Sequence, residues 1–241
     1  MWPSTAGDRS TLGAVSRETP PTILRSMPDL ATLQSAAGQL GWPLSPAQAT
    51  HLLAYRDLIA KWNKVYNLTA LREPAQMLQL HIIDSLAAAP LLHKYLAQQG
   101  LATCRLLDVG SGGGLPGVVL AATMPQVDVT CVDTVGKKAA FVQQVAGELA
   151  LKNLRGVHAR VENMQAAPFD VITSRAFASL ADFVQLTRMH LKPRGVWMAL
   201  KGKMPDDEIA ALPADVQVFH VEQLQVPGLE AERCLIWIKQ Q

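Results

Sequence analysis

The chain has 241 residues, of which 49% are hydrophobic and 17% charged, and its formal net charge is +2. This composition supplies a sizeable core and excludes a long charged disordered region. The small net charge also excludes a protein that is basic over its whole surface, so contact with a nucleic acid would require a local patch.

The three cysteines, Cys104, Cys131 and Cys234, are far apart and form no Cys-x-x-Cys pair. They indicate neither a zinc site nor a disulfide framework, and the pattern is typical of the reducing cytoplasm. No apolar run approaches the ~18 residues that a membrane span needs, so we expect no membrane association.

The first part of the chain separates into a tail and a helical region. Residues 1–28 mix prolines, charges and apolar residues without a period, which predicts a flexible tail and no targeting segment. Residues 29–101 have helical periodicity and predict an N-terminal helical cap. Asp29 is predicted to cap the first helix and Gly41 to end it. Ser45-Pro46 and Glu73-Pro74 mark the starts of the next two helices, and the segment 91–99 after Pro90 is a further one.

From residue 102 to 241 short apolar runs alternate with helical stretches, which predicts an α/β fold with a doubly wound, mostly parallel sheet. Pro193-Arg194-Gly195 is predicted to form a turn before the fifth strand, and the last two runs could pair as a hairpin. The predicted strands are 104–109, 127–132, 154–159, 169–173, 195–200, 216–221 and 234–239, and the helices between them are 115–124, 135–150 and 179–190.

The most informative segment is the turn from Asp108 to Gly114, which reads Asp-x-Gly-x-Gly-x-Gly between a strand and a helix. A phosphate-binding P-loop would end in Gly-Lys-Ser/Thr, and the dinucleotide fingerprint would have a third glycine where this chain has Leu115. The spacing resembles motif I of the class I methyltransferases, which bind S-adenosylmethionine (SAM). Asp133 ends the next strand, where a carboxylate can accept hydrogen bonds from ribose hydroxyls.

Other candidate site residues follow the third and fourth strands, because ligands of open α/β sheets bind beyond the carboxyl ends of the strands. Val161 and Glu162 would border the adenine, although Glu162 could also be a solvated acid. Arg175 is the candidate catalytic residue, since its planar cation suits a phosphate, a carboxylate or a guanine edge. Its alternative role is an ion pair with Asp133 or Glu162.

The helical cap carries a second set of candidates. Asn67 is expected either to end a helix in a left-handed conformation or to lie with Asn63 and Lys64 on a substrate face. His81 and Asp84 share one helical face. Two such residues without a third ligand do not indicate a metal site, so we expect a His–Asp hydrogen bond and no metal.

Basic residues near the expected mouth of the site could contact a phosphate backbone or be ordinary solvated surface. They are Lys64, Arg72, Lys137, Lys138, Arg175, Lys201 and Lys203.

Several motifs occur together and in order over residues 45–239, and with them the chain resembles the ribosomal RNA small subunit methyltransferase G family, also called glucose-inhibited division protein B. The motifs are Asn67-Leu68-Thr69, His81-x-x-Asp84-Ser85, the segment 108–117 ending in Gly-Leu-Pro-Gly, Asp133 with Gly136-Lys137-Lys138, Ser174-Arg175-Ala176-Phe177 and Leu200-Lys201-Gly202-Lys203. Many relatives have Gly-x-Gly-Pro-Gly where this chain has three consecutive glycines from Gly112 to Gly114.

The resemblance implies SAM-dependent methylation of N7 of one guanine, position 527, of 16S ribosomal RNA. It implies a seven-stranded sheet with a reversed last strand, a SAM-binding domain over residues 102–241, and 16S rRNA or the small ribosomal subunit as partner, without an obligate protein partner. The resemblance implies SAM contacts from Gly110, Leu115, Val161, Glu162 and Arg175. Together with Gly112, Gly114 and Asp133 of the nucleotide-binding pattern, these are the predicted cofactor-binding residues. The predicted substrate-binding residues are Asn67, His81, Lys137, Lys138, Lys201 and Lys203.

Three other functions remain open at this point. An NAD-type oxidoreductase would share the sheet and Asp133, but not Leu115 in the glycine position. A SAM enzyme acting on a small molecule or a protein is compatible with the small net charge. A non-catalytic RNA-binding or ribosome-binding module would need no intact glycine motif.

Overall fold

The computed structural model describes residues 27–175 and 177–241, so the tail predicted over 1–28 lies almost wholly outside the described residues. The described part begins with the predicted helical cap. The cap consists of α1 (Met27–Gln39), α2 (Pro46–Tyr66), α3 (Pro74–Met77), a π-helical stretch (Leu78–Ile83), α4 (Asp84–Leu86) and α5 (Ala89–Gln98).

Local capping chemistry fixes both ends of α2 but not the start of α1. Ser45 accepts the N–H of Gln48, whose side chain accepts the N–H of Ser45, so α2 begins with a complete capping box. Asn67 ends α2 at φ 50°, as its left-handed alternative predicted. The prediction for Asp29 was wrong, because α1 begins two residues earlier and Asp29 pairs with Arg56 at 2.6 Å.

The rest of the chain forms one seven-stranded sheet in the order β3-β2-β1-β4-β5-β7-β6. β7 runs antiparallel to both of its neighbours and the other pairs are parallel, which confirms the predicted fold class and the hairpin of the last two strands. The strands are β1 (Cys104–Val109), β2 (Val127–Asp133), β3 (Leu154–His158), β4 (Phe169–Ser174), β5 (Leu191–Lys201), β6 (Val216–Gln223) and β7 (Cys234–Gln240), and the helices are α6 (Gly117–Thr123), α7 (Gly136–Glu148), α8 (Leu180–Thr187) and α9 (Asp206–Ala210).

The predicted turn before the fifth strand was wrong, because β5 already begins at Leu191. Leu191 pairs with Phe169 and Val196 pairs with Val171, so four residues of β5 lie opposite the single intervening residue of β4. Such a bulge tolerates Pro193, which has no N–H to donate. The sequence Pro-Arg-Gly therefore marks an irregularity inside a strand.

The helical cap and the sheet share one hydrophobic core. A single cluster of buried residues contains Leu33 and Leu52 from the cap together with Leu106 and Val129 from the sheet. A second cluster, which includes Trp197, fills the opposite face of the sheet. The cap is thus packed directly on the sheet and reaches the carboxyl ends of its strands. No helix in the described ranges is both long and apolar enough to cross a membrane.

We predict opposite stability effects for two glycine-to-alanine changes in the α7–β3 unit. At Gly156 a Cβ would overlap the carbonyl oxygen of Ala139 and lie 2.9 Å from the backbone nitrogen of Gln143, so Gly156→Ala should destabilise the protein by about 1–3 kcal/mol. At Gly147, within α7, a Cβ meets no atom within 4 Å, so Gly147→Ala should stabilise it by about 0.5–1 kcal/mol. Urea unfolding measures both, and equal effects would contradict the close α7–β3 contact.

Candidate active site

Three adjoining cavities lie at the carboxyl ends of the strands. The loop cavity, of about 170 Å³, is lined by the glycine turn. The Asp133 cavity, of about 240 Å³, shares Gly110 with it. The outer cavity, of about 520 Å³, shares Thr69, His81 and Arg175 with the loop cavity. Because each cavity shares lining residues with the next, the three lie side by side, and we refer to them together as the cleft.

The glycine turn between β1 and α6 presents its backbone to the loop cavity. Gly110 and Gly112 have φ angles of 66° and 59°, and a Cβ at either would meet nothing within 4 Å. Gly114, at φ 96°, serves packing instead, since a Cβ there would overlap Val118 and lie 3.0 Å from Val142. Gly114 is therefore placed beneath the turn, whereas Gly110 and Gly112 line the cavity.

Asp133 is buried and connects the end of β2 to the glycine turn. Its Oδ2 accepts the N–H of Gly112 at 2.9 Å and its Oδ1 accepts the N–H of Val135 at 2.8 Å. Each carboxylate oxygen can still accept a further hydrogen bond on the side that lines the Asp133 cavity. The sequence predicted the position of this carboxylate but not its bond to Gly112.

The remaining cofactor-binding candidates line the same two cavities. Val161 and Glu162 lie in a short 3₁₀ turn at the wall of the Asp133 cavity, where Val161 is buried and Glu162 exposed. The Nε2 of His190 donates to the carbonyl oxygen of Val161 at 2.6 Å and fixes this turn. Leu115 is buried and lines the loop cavity.

Arg175 follows β4 and lies where the loop cavity meets the outer cavity. Its Nη1 donates to the carbonyl oxygen of Leu80 at 3.0 Å and lies 3.4 Å from Oδ2 of Asp84. The alternative role of Arg175, an ion pair, is therefore present, but its partner is Asp84 in the cap and not Asp133 or Glu162. The next residue of the motif, Ala176, lies outside the described residues.

His81 and Asp84 do not bond to each other among the described residues, so the predicted His–Asp hydrogen bond was wrong. Both contact Arg175, which lies 3.3 Å from Nδ1 of His81. The Nε2 of His81 pairs with Oγ1 of Thr69 at 2.8 Å. Burial and the nearby Arg175 lower the pKa of His81 to about 4, so the imidazole is neutral at pH 7.

The basic candidates divide by their surroundings. Lys138 is half-buried and lines the loop cavity, while Lys137 and Lys203 are exposed. Lys201 lines the outer cavity, but its Nζ lies 2.8 and 3.0 Å from the two carboxylate oxygens of Glu208. Because that ion pair engages the charge of Lys201, this lysine is less suited to a phosphate than sequence alone predicted.

Two of the polar cap residues near the cleft differ in role. Asn63 is buried and holds the following loop, with bonds to the carbonyl oxygen of Leu71 and the N–H of Thr69. It is therefore structural and not part of a substrate face. Asn67 is exposed at the rim, where its Oδ1 accepts a hydrogen bond from Arg72 at 3.3 Å.

Sequence reasoning missed two side chains of the site. Tyr55 is fully buried in α2 and donates to the carbonyl oxygen of Gly113 at 2.7 Å. Its position in the apolar stripe of α2 could have pointed to this role, because the hydroxyl of a buried tyrosine requires a hydrogen-bond partner. Arg233 donates to Oδ1 of Asp84 at 2.8 Å and lines the outer cavity, and no local pattern marks it.

The comparisons with known proteins agree with this geometry. A model of the GidB family, described as rRNA small subunit methyltransferase G, matches residues 48–236. Ribosomal RNA small subunit methyltransferase G of Acidovorax sp. (strain JS42) is 62% identical over 212 residues, covering 86% of this chain and 93% of that protein. The protein of the same name from Polaromonas naphthalenivorans (strain CJ2) is 58% identical over 210 residues, covering 87% and 95%.

Among solved structures, the chain is similar in fold to a Burkholderia thailandensis 1,6-didemethyltoxoflavin-N1-methyltransferase with bound S-adenosylhomocysteine. The TM-score is 0.52 at 14% identity, over 83% of this chain and 92% of that one. The glycopeptide N-methyltransferase MtfA, solved in complex with SAM, has a TM-score of 0.51 at 10% identity. The match covers 62% of this chain and 92% of that one. These likenesses show the class I methyltransferase fold. Because the family model matches residues 48–236 and a relative of that name is 62% identical over 212 residues, the chain belongs to the ribosomal RNA small subunit methyltransferase G family.

Proposed function

We propose that this protein transfers the methyl group of SAM to N7 of a guanine in 16S rRNA, the reaction that its family resemblance implies. The coarser activity, SAM-dependent methylation of rRNA, follows from membership of the family. The observation that carries the finer proposal is that a cavity lined by the glycine turn adjoins a larger outer cavity at Thr69, His81 and Arg175.

The residues present fit SAM. The Asp133 cavity offers a buried carboxylate for the ribose hydroxyls, and Val109, Val161 and Leu186 supply an apolar lining for an adenine. The loop cavity offers a glycine wall without side chains at Gly110 and Gly112, and the cations Lys138 and Arg175 for a carboxylate. When bound, SAM supplies an electrophilic methyl group on a sulfonium.

Transfer to guanine N7 makes few chemical demands on the protein. N7 carries a lone pair and no proton, so no general base is required. Arg175 has N–H donors at the boundary of the two cavities, and these suit the O6 acceptor beside N7. Neutral His81 adds no positive charge beside a sulfonium. Catalysis then depends on orientation and on a fixed, water-poor environment.

The three alternative functions have less support. Family membership sets aside the NAD-type oxidoreductase and the non-catalytic module. A SAM enzyme acting on a small molecule or a protein has no specific support in the outer cavity, where Arg175 and Arg233 share a single carboxylate, Asp84, and so leave a net positive charge that suits an anionic substrate such as RNA. The proposed substrate would place the enzyme in the cytoplasm, with 16S rRNA or the small ribosomal subunit as its partner.

The product distinguishes the proposed function from related activities. Purified protein with labelled SAM should methylate 16S rRNA from cells that lack this methyltransferase. Mass spectrometry of the digested RNA should find 7-methylguanine, because the structure offers neither the amine-methylating Asn/Asp-Pro-Pro-aromatic motif after β4 nor a cysteine nucleophile there. Detection of N2-methylguanine or 5-methylcytosine would contradict the proposal.

Replacement of Asp133 should weaken SAM binding. Asp133→Ala removes the carboxylate from the Asp133 cavity and also releases the N–H of Gly112, so we expect a loss of about 1–3 kcal/mol. Asp128→Ala is the matched control, since Asp128 lies at the opposite end of the same strand. Calorimetric titration with SAM measures both. An unchanged dissociation constant in folded Asp133→Ala would remove Asp133 from the cofactor site.

The low pKa of His81 should make stability depend on pH. Between pH 6.5 and about 4 the unfolded imidazole binds a proton and the folded one does not, so the free energy of unfolding falls as pH decreases. At about 1.4 kcal/mol per unit of pKa, this loss amounts to roughly 3 kcal/mol. Urea unfolding of His81→Gln should show a shallower fall than wild type. The exposed His93→Gln is the control, and equal slopes in all three proteins would rule out a buried neutral His81.

A further inference from the structure

The C-terminal end of α2 and the loop after it form an exposed surface at the rim of the cleft, which we call the α2-end surface. Its members are Lys61, Lys64, Val65, Asn67 and Arg72, all of them exposed. Immediately beside them in the chain, Leu68 and Thr69 line the loop cavity, and Ala70 and Leu71 line the outer cavity. The surface therefore adjoins the place where the target base would enter.

The α2-end surface is positively charged. Lys61, Lys64 and Arg72 are cations, and no acidic residue occurs between Asp57 and Glu73. Within the described ranges none of the three forms an ion pair, in contrast to Lys201 with its Glu208 partner. Because no carboxylate neutralises these charges, an anionic partner would meet all three.

The loop that carries part of the surface is fixed by hydrogen bonds. Buried Asn63 bonds the N–H of Thr69 at 2.9 Å and the carbonyl oxygen of Leu71 at 2.8 Å. Arg72 donates to the carbonyl oxygen of Thr69 at 3.2 Å and to Oδ1 of Asn67 at 3.3 Å. A surface held in this way loses little conformational entropy when it binds.

The chemistry of the surface suits RNA. Lys61 and Lys64 are three residues apart and share one face of α2. Val65, whose exposed fraction is 68%, lies beside them and gives a nucleotide an apolar contact. Lys61 also lies over the ring of Trp62, which stacks on Tyr66 at an interplanar angle of 2°. Cations beside aromatic and apolar groups are the common means of binding RNA backbone without reading sequence.

We propose that the α2-end surface binds the phosphate backbone of the rRNA next to the target guanine and so presents that base to the outer cavity. This inference rests on the proposed rRNA substrate. It assigns a binding role to Lys61, Lys64 and Arg72, and none of the three lines any of the three cavities of the cleft.

The test removes these three charges and compares the result with a matched control. The triple variant K61A/K64A/R72A is set against K94A/K152A/R194A, which also removes two lysines and one arginine at exposed positions. Lys152 and Arg194 lie near the amino ends of the parallel strands, and Lys94 lies on α5 beside a different cavity. Small ribosomal subunits from cells lacking this methyltransferase, and the 16S rRNA extracted from them, serve as substrates with labelled SAM.

For the α2-end triple we expect the KM for the RNA substrate to rise at least tenfold, with the loss in KM and not in kcat. The slope of log KM against the logarithm of the salt concentration should fall by about 2, because each lost phosphate contact lowers this slope by ~0.7–0.9. The calorimetric dissociation constant for SAM should stay that of wild type, which excludes a misfolded site, and the control triple should match wild type throughout.

An unchanged KM in the α2-end triple, or an equal rise in the control, would overturn the proposal. An acidic protein as the partner would appear as a raised KM on assembled subunits only, with extracted rRNA unaffected, and would also overturn it. If wild type methylates an atom other than guanine N7, the proposed function fails, while the KM comparison still decides whether the surface binds RNA.

Discussion

The left-handed glycine turn between β1 and α6 is the constraint on which the site depends, and hydrogen bonds from three directions hold it in place. The carboxylate of Asp133 accepts from Gly112, and Tyr55 in the cap donates to Gly113. Asp108, at the end of β1, accepts the N–H of Gly117 at 2.8 Å. Strand, neighbouring strand and cap thus each fix one point of a turn that glycine alone would leave free. The cap therefore helps to hold the turn that lines the loop cavity, although no cap residue was expected to touch the turn.

Electrostatics divides the cleft into two regions. The Asp133 cavity is lined by two carboxylates, Asp133 and Glu162, by one cation, Arg160, and by an apolar wall, whereas the outer cavity is lined by three cations and one buried carboxylate, Asp84. Asp84 pairs with both Arg175 and Arg233, which reduces the cost of placing two guanidinium groups close together. His81, at the boundary, is held neutral by burial. The outer cavity carries an excess of positive charge, because its two guanidinium groups share the single carboxylate of Asp84.

The sequence predicted those features of the fold that depend on a few consecutive residues. The ends of β1 and β2, the turn at Gly110 and Gly112, and the start of α2 at Ser45 follow from local patterns of glycine, proline and apolar residues. The prediction was wrong at β5 and for the partners of Arg175. The first depends on a bulge that only the pairing with β4 creates, and the second on residues of the cap that lie far away in the chain. Local composition contains no information on either contact.

The bridge that Asp84 makes has a consequence for how the molecule assembles. The two bonds of Asp84 span 91 and 149 residues of chain, while the bond between Asp133 and Gly112 spans 21. Closing long loops costs more chain entropy, and contacts of that kind form after local ones. The contact between Asp133 and Gly112 needs only β1, β2 and the turn that follows β1. The contact between Asp84 and Arg233 needs the residue that precedes β7, the last strand in the chain. The turn at Gly112 can therefore be fixed early in folding, whereas the wall of the outer cavity at Arg233 is complete only after the C-terminal strand has joined the sheet.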